Sequence, residues 1–471
     1  MRYLLLLIFS CPFTLFSQTQ ISDSLMLRKI FDEALTRGKC YENLKQLCEE
    51  APARLSGSAN AERAVQVTFE QLKKMGADTV WLQPTMVPHW VRGNKETGII
   101  YAGKKKYPLA ITALGGSAGT PSGGITAEVL EVQSLQELSS IEPEKIKGKI
   151  IFYNRAMDPR KIDTFESYGG CADQRVRGAD EAVKYGAVAV VVRSLTHALD
   201  ENPHTGVMIY SGDQKIPGVA ISTKDANMLS ALLKKETVKM YLELNCQSLP
   251  DKLSYNVIGE IRGTEFPEEI LLVGGHLDSW DNGQGAHDDG AGCVHSMEVL
   301  HLFKQLNYNP KRTIRCVLFM NEENGSRGAT DYAAWSKQTQ QKHLVALESD
   351  RGGFAPRGFT VEGDDGKKEA CMDALREWRA LFKPYFVHVF EYGGSGVDVS
   401  KLKGQGVALM GFIPDSQRYF DVHHAKTDHI QSVNKRELEL GAATITSLIY
   451  LFDKYGLHHT EKSGSWPERA N

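Results

Sequence analysis

Three apolar runs in the second half of the chain each stop at residues of metal-binding type. Ile270-Leu-Leu-Val273 leads into Gly274-Gly-His276-Leu-Asp278, the run 314–320 into Asn321-Glu322-Glu323, and the run 344–347 into Glu348-Ser-Asp350. Between the first two lies Gly285-Ala-His-Asp288-Asp289-Gly-Ala-Gly292, and far downstream comes Asp421-Val-His423-His424-Ala-Lys-Thr-Asp428. Each piece alone is weak. A lone histidine after a strand is usually an ordinary hydrogen-bonded residue, paired glutamates are usually solvated, and Asp-Asp beside glycine is usually a turn. Their coincidence carries the argument. Open α/β sheets gather functional groups beyond the carboxyl ends of their strands. Carboxylates crowded at one such edge repel one another unless a divalent cation stands among them. Imidazole and carboxylate without thiolate suit zinc, and an open position suits catalysis rather than structure. Two ions sharing a carboxylate, about 3.5–4 Å apart, clamp one water and polarise a carbonyl. A neighbouring glutamate then takes the proton from that water.

The elements that must position these groups can be read from periodicity. From Asn256 onward strands alternate with helices, one of them marked by Val294, Met297, Leu300 and Phe303 and another spanning 329–335. Alternation of this kind predicts an α/β fold with a mixed, mainly parallel sheet sandwiched by helices. Residues 118–250 have a different rhythm, with short β-rich runs at 149–153, 187–192 and 219–221 and alternation over 238–244. They are expected to form a separate, mainly β insert of ordinary domain size. It would divide the main domain into 18–117 and 251–457. Ahead of it, 22–50 reads as helical and 51–58 as a loop, and the next helix is capped by Asn60 and ended by Gly76. Residues 458–471 read as a polar tail.

Composition narrows the classes. The 471 residues are 42% hydrophobic and 24% charged, ordinary for a globular protein of two or three domains. A net charge of -3 gives no basis for a nucleic-acid partner or a polybasic membrane surface. Met1-Arg2, an apolar run from Leu4 to Phe16 and then Ser17-Gln-Thr-Gln20 form a basic, apolar and polar series. That series reads as a secretory signal peptide over 1–17, predicting a secreted or periplasmic protein. The run is shorter than the roughly 20 residues of a spanning helix, and no later stretch would hold the chain in a membrane after cleavage. Seven cysteines follow the leader, none in a CxxC pair, which argues against a thiolate zinc site. Export permits a Cys40–Cys48 disulfide, and buried reduced cysteines are the other reading.

Taken together, the metal-type motifs resemble the zinc exopeptidases that include bacterial aminopeptidases and glutamate carboxypeptidases. Ala53-Arg-Leu-Ser-Gly-Ser58, Val87-Pro-His-Trp-Val-Arg-Gly93 and Asn256-Val-Ile-Gly-Glu-Ile-Arg-Gly263 extend the resemblance over nearly the whole mature chain. Gly186-Ala-Val-Ala-Val190 and Ile216-Pro-Gly-Val-Ala-Ile221 make the insert resemble a protease-associated domain. The resemblance implies two Zn2+ per chain, with Asp288 bridging them. Glu323 and His424 would complete one site, and His276 and Asp350 the other. Glu322 would be the general base, Asp278 would hold the His276 ring, and His423 would donate to the oxyanion. His424 is preferred over His423 as ligand because it stands four residues before Asp428, as the ligand does in the family. The resemblance further implies a cis Asp288–Asp289 peptide bond, a short peptide substrate and a homodimer. The sequence departs from the family pattern at Ala425 and at Asp428-His429. Whether the enzyme works as a carboxypeptidase, a dipeptidase or an aminopeptidase stays open at this level. A metal-free receptor-like scaffold and a one-zinc glutamine cyclase are the competing classes, and the full ligand set and intact His276 speak against them.

Overall fold

The computed structural model describes residues 13–457, with side chains from residue 21 onward. The expected leader, 1–17, lies largely outside the described residues, as does the polar tail, 458–471. No helix among the described residues is long and apolar enough to cross a membrane.

The main sheet has eight strands. In spatial order they are Thr79–Val91, Gln247–Ile261, Arg312–Phe319, Phe266–His276, Lys342–Glu348, Ala408–Pro414, Pro356–Gly363 and Val389–Tyr392. Its centre is parallel, with Phe266–His276 running alongside both Arg312–Phe319 and Lys342–Glu348. Every residue of Arg312–Phe319 is buried, as expected of a strand covered on both faces. Successive side chains alternate between two cores, as the pleat requires. Leu271 and Val273 join a core closed by the helices Cys40–Glu50, Ala59–Lys74, Ala291–Gln305 and Lys435–Tyr455. Ile270 and Leu272 face the helix Arg327–Gln338 through Ala329 and Tyr332. The chain is therefore a mixed α/β fold with its main sheet sandwiched by helices.

A second eight-stranded sheet lies between the first two strands of the main sheet in sequence. Its core strands, Ile125–Val132, Ile150–Tyr153, Ala189–Arg193 and Gly218–Ile221, are parallel. Short helices, from Leu135–Ser140 to Gly178–Val183, connect the first three of them, and Thr223–Leu233 follows the last, so the unit is α/β rather than mainly β. It also begins earlier than the expected boundary at 118. The hairpin Glu96–Ala102/Lys105–Leu109 pairs with Val238–Leu244, and Ile111–Ala113 pairs with Gly218–Ile221.

Two local expectations need correction. Ser58, not Asn60, caps the helix Ala59–Lys74, its hydroxyl accepting the Ala61 N–H at 3.0 Å. Cys40 and Cys48 are free and buried, as are the other described cysteines. Both sit on the single helix Cys40–Glu50, where eight residues rise about 12 Å, beyond the reach of a disulfide.

Candidate metal centre

The main sheet delivers the site from its carboxyl edge. His276 is the last residue of its strand. Its Nδ1 lies 3.0 Å from the Asp278 backbone carbonyl, so that nitrogen carries a proton and Nε2 is the end turned toward the site. Nε2 faces Asp288 Oδ1 at 3.1 Å and Asp350 Oδ1 at 3.5 Å. Asp288 comes from the irregular turn Ala286–Gly290, where the Asp288–Asp289 bond is cis. The carboxylate of Asp428 accepts the N–H groups of His287 and Asp288 at 2.8 and 3.1 Å and so fixes that turn. Asp289 turns inward, where its carboxylate accepts the His276 and Gly292 N–H groups.

On the other side of Asp288, His424 Nε2 lies 3.3 Å from Asp288 Oδ2 and 3.2 Å from Glu323 Oε2. His423 Nε2 is 3.6 Å from the same Asp288 oxygen, and the two imidazoles stack with centroids 3.5 Å apart. The structure thus brings His276, Asp288, Asp350, Glu323, His424 and His423 to one place, with Asp288 common to two groups. Asp278 meets the His276 ring through its backbone carbonyl, and its carboxylate is not spent on that contact. Instead, Oδ1 accepts the N–H groups of Asn321 and Glu322 at 2.7 and 3.0 Å, and Oδ2 accepts that of Glu323 at 3.3 Å.

The electrostatics are those of a cation site. Burial, followed by the Asp350 and Glu323 charges, holds Glu322 well above the usual carboxylate range. Burial and then Asp288 push Glu323 up to about 7. Burial opposes the charge on His276, yet Asp350 and Asp288 raise its imidazole well above the ordinary range. His423 is held well below its ordinary value by burial and by the neighbouring His424. Asp288 Oδ2 and Glu323 Oε1 are buried with no hydrogen-bond partner. Buried polar atoms are rarely left so. Carboxylate oxygens left without partners beside imidazole rings are a donor set that fits zinc.

Three further residues serve this edge, and no pattern in the sequence marked their roles. Arg54 is fully buried and donates to the carbonyls of Leu277, Gln284 and Gly285 at 2.6, 2.5 and 2.8 Å. It ties the loop after His276 to the loop before Asp288. Arg175 and His204 reach the site from the second sheet unit. Arg54 stands in a stretch that carried the family resemblance; Arg175 and His204 gave no comparable signal.

A sheet edge of this make-up belongs to the metal-dependent exopeptidases. A family model described as Peptidase family M28 matches residues 256–449. Carboxypeptidase Q from Bos taurus is 36% identical over 433 residues, covering 92% of this chain and 88% of that protein. The solved structure of a peptidase M28 precursor from Shewanella amazonensis SB2B superposes with a TM-score of 0.86 at 32% identity, covering 96% of this chain and all of that one. A zinc aminopeptidase from Bacillus subtilis shares the fold at 21% identity and a TM-score of 0.62, over 87% of this chain and 94% of its own. The chain belongs to peptidase family M28 and is a zinc metallo-exopeptidase.

Proposed function

We propose that this protein is an exported, two-zinc exopeptidase that hydrolyses dipeptides or releases a C-terminal residue from short peptides. The observation that carries the two-ion reading is the sharing of Asp288. One of its oxygens faces His276, beside Asp350, and the other faces His424, beside Glu323. His276 and Asp350 would hold one ion, Glu323 and His424 the other, with Asp288 between them. Bound zinc supplies Lewis acidity that makes water more acidic and polarises the scissile carbonyl. Glu322, set in place by Asp278, takes the proton of the attacking water and returns it to the departing amine. His423 presents a neutral ring beside the same space, where a ring N–H can donate to the developing oxyanion.

The direction of attack is supported by Arg175. Its Nη1 lies 3.5 Å from His424 Nδ1, but that nitrogen also faces the Thr205 carbonyl at 3.2 Å and therefore carries a proton. Two donors facing each other make no bond. Arg175 Nε is buried without a partner, and no carboxylate pairs with this side chain among the described residues. A buried cation without a counter-ion is costly, and a guanidinium is well shaped to take a carboxylate in a two-bond fork. The free C-terminus of a substrate would supply that carboxylate. The relatives named carboxypeptidase Q agree with this direction.

The second sheet unit is read as a protease-associated insert, the leader as an export signal, and the exposed apolar side chains Leu82, Met86 and Leu253 on the edge ribbon as support for a homodimer. The deciding experiment assays free dipeptides, N-blocked dipeptides and amino-acid amides, with and without chelator, beside a zinc count. Free dipeptides should be cut best, with two zinc ions per chain and loss of activity on chelation. Cleavage of amides in preference would establish the aminopeptidase alternative, and no hydrolysis at all the scaffold.

A further inference from the structure

The second sheet unit meets the His423–His424 loop through a short antiparallel bridge between His204 and Ala425. Around that bridge the Thr205 N–H donates to the His424 carbonyl at 2.9 Å. The His424 ring nitrogen Nδ1 lies 3.2 Å from the Thr205 carbonyl, and His204 Nδ1 lies 2.7 Å from the His423 carbonyl. A carbonyl can only accept, so both ring nitrogens carry protons. The segment that makes these bonds is itself anchored in its own sheet. Ser194 Oγ accepts the His204 N–H at 2.8 Å and donates to the Ile221 carbonyl at 2.7 Å, and the Thr205 hydroxyl donates to the Ala113 carbonyl at 2.8 Å. His204 and Thr205 are both buried.

His424 has a φ of 60°, a left-handed conformation that an L residue adopts only where its surroundings hold it. Its neighbour His423 competes for the same place, since the two rings reach the same Asp288 oxygen at 3.6 and 3.3 Å. The loop offers two imidazoles, and something must choose between them. Of the polar contacts on this loop, those from His204 and Thr205 bear on both histidines. They fix the His423 carbonyl, the His424 carbonyl and the His424 ring tautomer together.

We infer that His204 and Thr205 are positioning residues which orient His424 toward Asp288 and Glu323, so that one metal site is assembled jointly by the second sheet unit and the peptidase sheet. The inference rests on the reading of His424 as a zinc ligand. Hydrogen bonds to the far nitrogen of a ligand imidazole set its ring orientation and basicity. Here that bond comes from another structural unit. A shift of the second unit relative to the main sheet would therefore loosen one ion and leave the His276–Asp350 side in place.

The test compares His204→Leu, which removes the donor to the His423 carbonyl, with His204→Asn, whose side-chain N–H can replace it. Zinc affinity is measured on the full chain by competition with a chromogenic chelator, and the cobalt-substituted protein gives a visible spectrum for ligand geometry. The expected result is that His204→Leu loses about 10–100-fold in affinity at one of two sites with an altered cobalt spectrum, while His204→Asn stays close to wild type. Unchanged affinity and spectrum in His204→Leu would overturn the inference, as would an equal loss at both sites. Should His204→Leu not fold, Ser194→Ala loosens the same segment by removing the hydroxyl that takes the His204 N–H and donates to the Ile221 carbonyl. It should weaken the same site, and wild-type affinity at both sites would count against the inference. His424→Ala separates this from the underlying assignment: retention of both ions there would sink the ligand reading itself.

Discussion

Asp278 holds the turn that carries Glu322 by accepting its backbone N–H at 3.0 Å, in the same cradle that takes Asn321 and Glu323. Asp278 is fully buried, and burial raises its proton affinity while the His276 charge and these backbone donors act against it. The residue is thus a scaffold for the turn that carries both neighbouring glutamates. Replacing it with asparagine puts an amide N–H where one oxygen accepted a backbone N–H. Asp278→Asn is expected to lower kcat by about 10-fold or more and to weaken zinc at the Glu323 side, the usual scale for a residue supporting a metal centre. Steady-state kinetics with a zinc titration would check this, and unchanged values in both would refute the cradle.

In the proposed mechanism Glu322 does not hold zinc; its work would be to move a proton. Glu322→Gln should bind zinc as wild type does while kcat falls by about 10²–10⁴, the range that general acid–base help supplies. The measurement is metal content beside dipeptide hydrolysis. A variant that hydrolyses at full speed would assign the proton transfer elsewhere.

Which residues stand at the strand ends was legible because apolar runs announce buried strands and stop abruptly, as at His276, Glu322 and Asp350. Other features were illegible for a physical reason: they depend on partners far away in sequence. The Glu96–Ala102 strand belongs to the second sheet because Val238–Leu244 pairs with it, and nothing local marks that. Arg54, Arg175 and His204 are single polar residues without periodicity, and their contacts are backbone carbonyls and a ring on distant loops. Asp278 lies two residues from His276, but a sequence cannot say whether a side chain or its own carbonyl makes the bond.

Arg54 should be among the residues least tolerant of change. Its guanidinium serves three carbonyls at once; truncation would leave those of Leu277 and Gln284 without donors, while that of Gly285 keeps the Gly290 N–H at 3.0 Å. Arg54→Met is expected to cost roughly 3–5 kcal/mol, because each buried orphan costs about 1–3 kcal/mol and relaxation recovers part of the sum. Zinc should also bind less tightly, since the loops of His276 and Asp288 lose their common tie. Denaturant unfolding of the metal-free protein gives the first quantity and chelator competition the second. A loss below about 1 kcal/mol would show that the carbonyls find other donors.

Away from the centre, a pair of buried glutamates should make stability depend on pH. Glu298 accepts the Lys39 N–H at 3.0 Å and Glu439 the Tyr41 N–H at 3.3 Å, and each keeps one buried oxygen without a partner. Burial, then the nearby Glu439, pushes Glu298 up to about 8, and burial pushes Glu439 up to about 7. A carboxyl whose proton affinity is raised by folding stabilises the native state fully below its unfolded pKa, near 4.5. That contribution is lost as pH rises through the folded value, because the unfolded chain releases the proton first. One proton gives a slope of about 1.4 kcal/mol per pH unit. Glu298→Gln keeps an oxygen for Lys39 and carries no proton to lose. The metal-free variant should therefore match wild type near pH 5 and exceed it increasingly toward pH 8, seen as a widening Tm difference. Parallel pH curves for the two proteins would mean that Glu298 is ionised in the folded protein and balanced by charges around it, with Lys39 the nearest candidate.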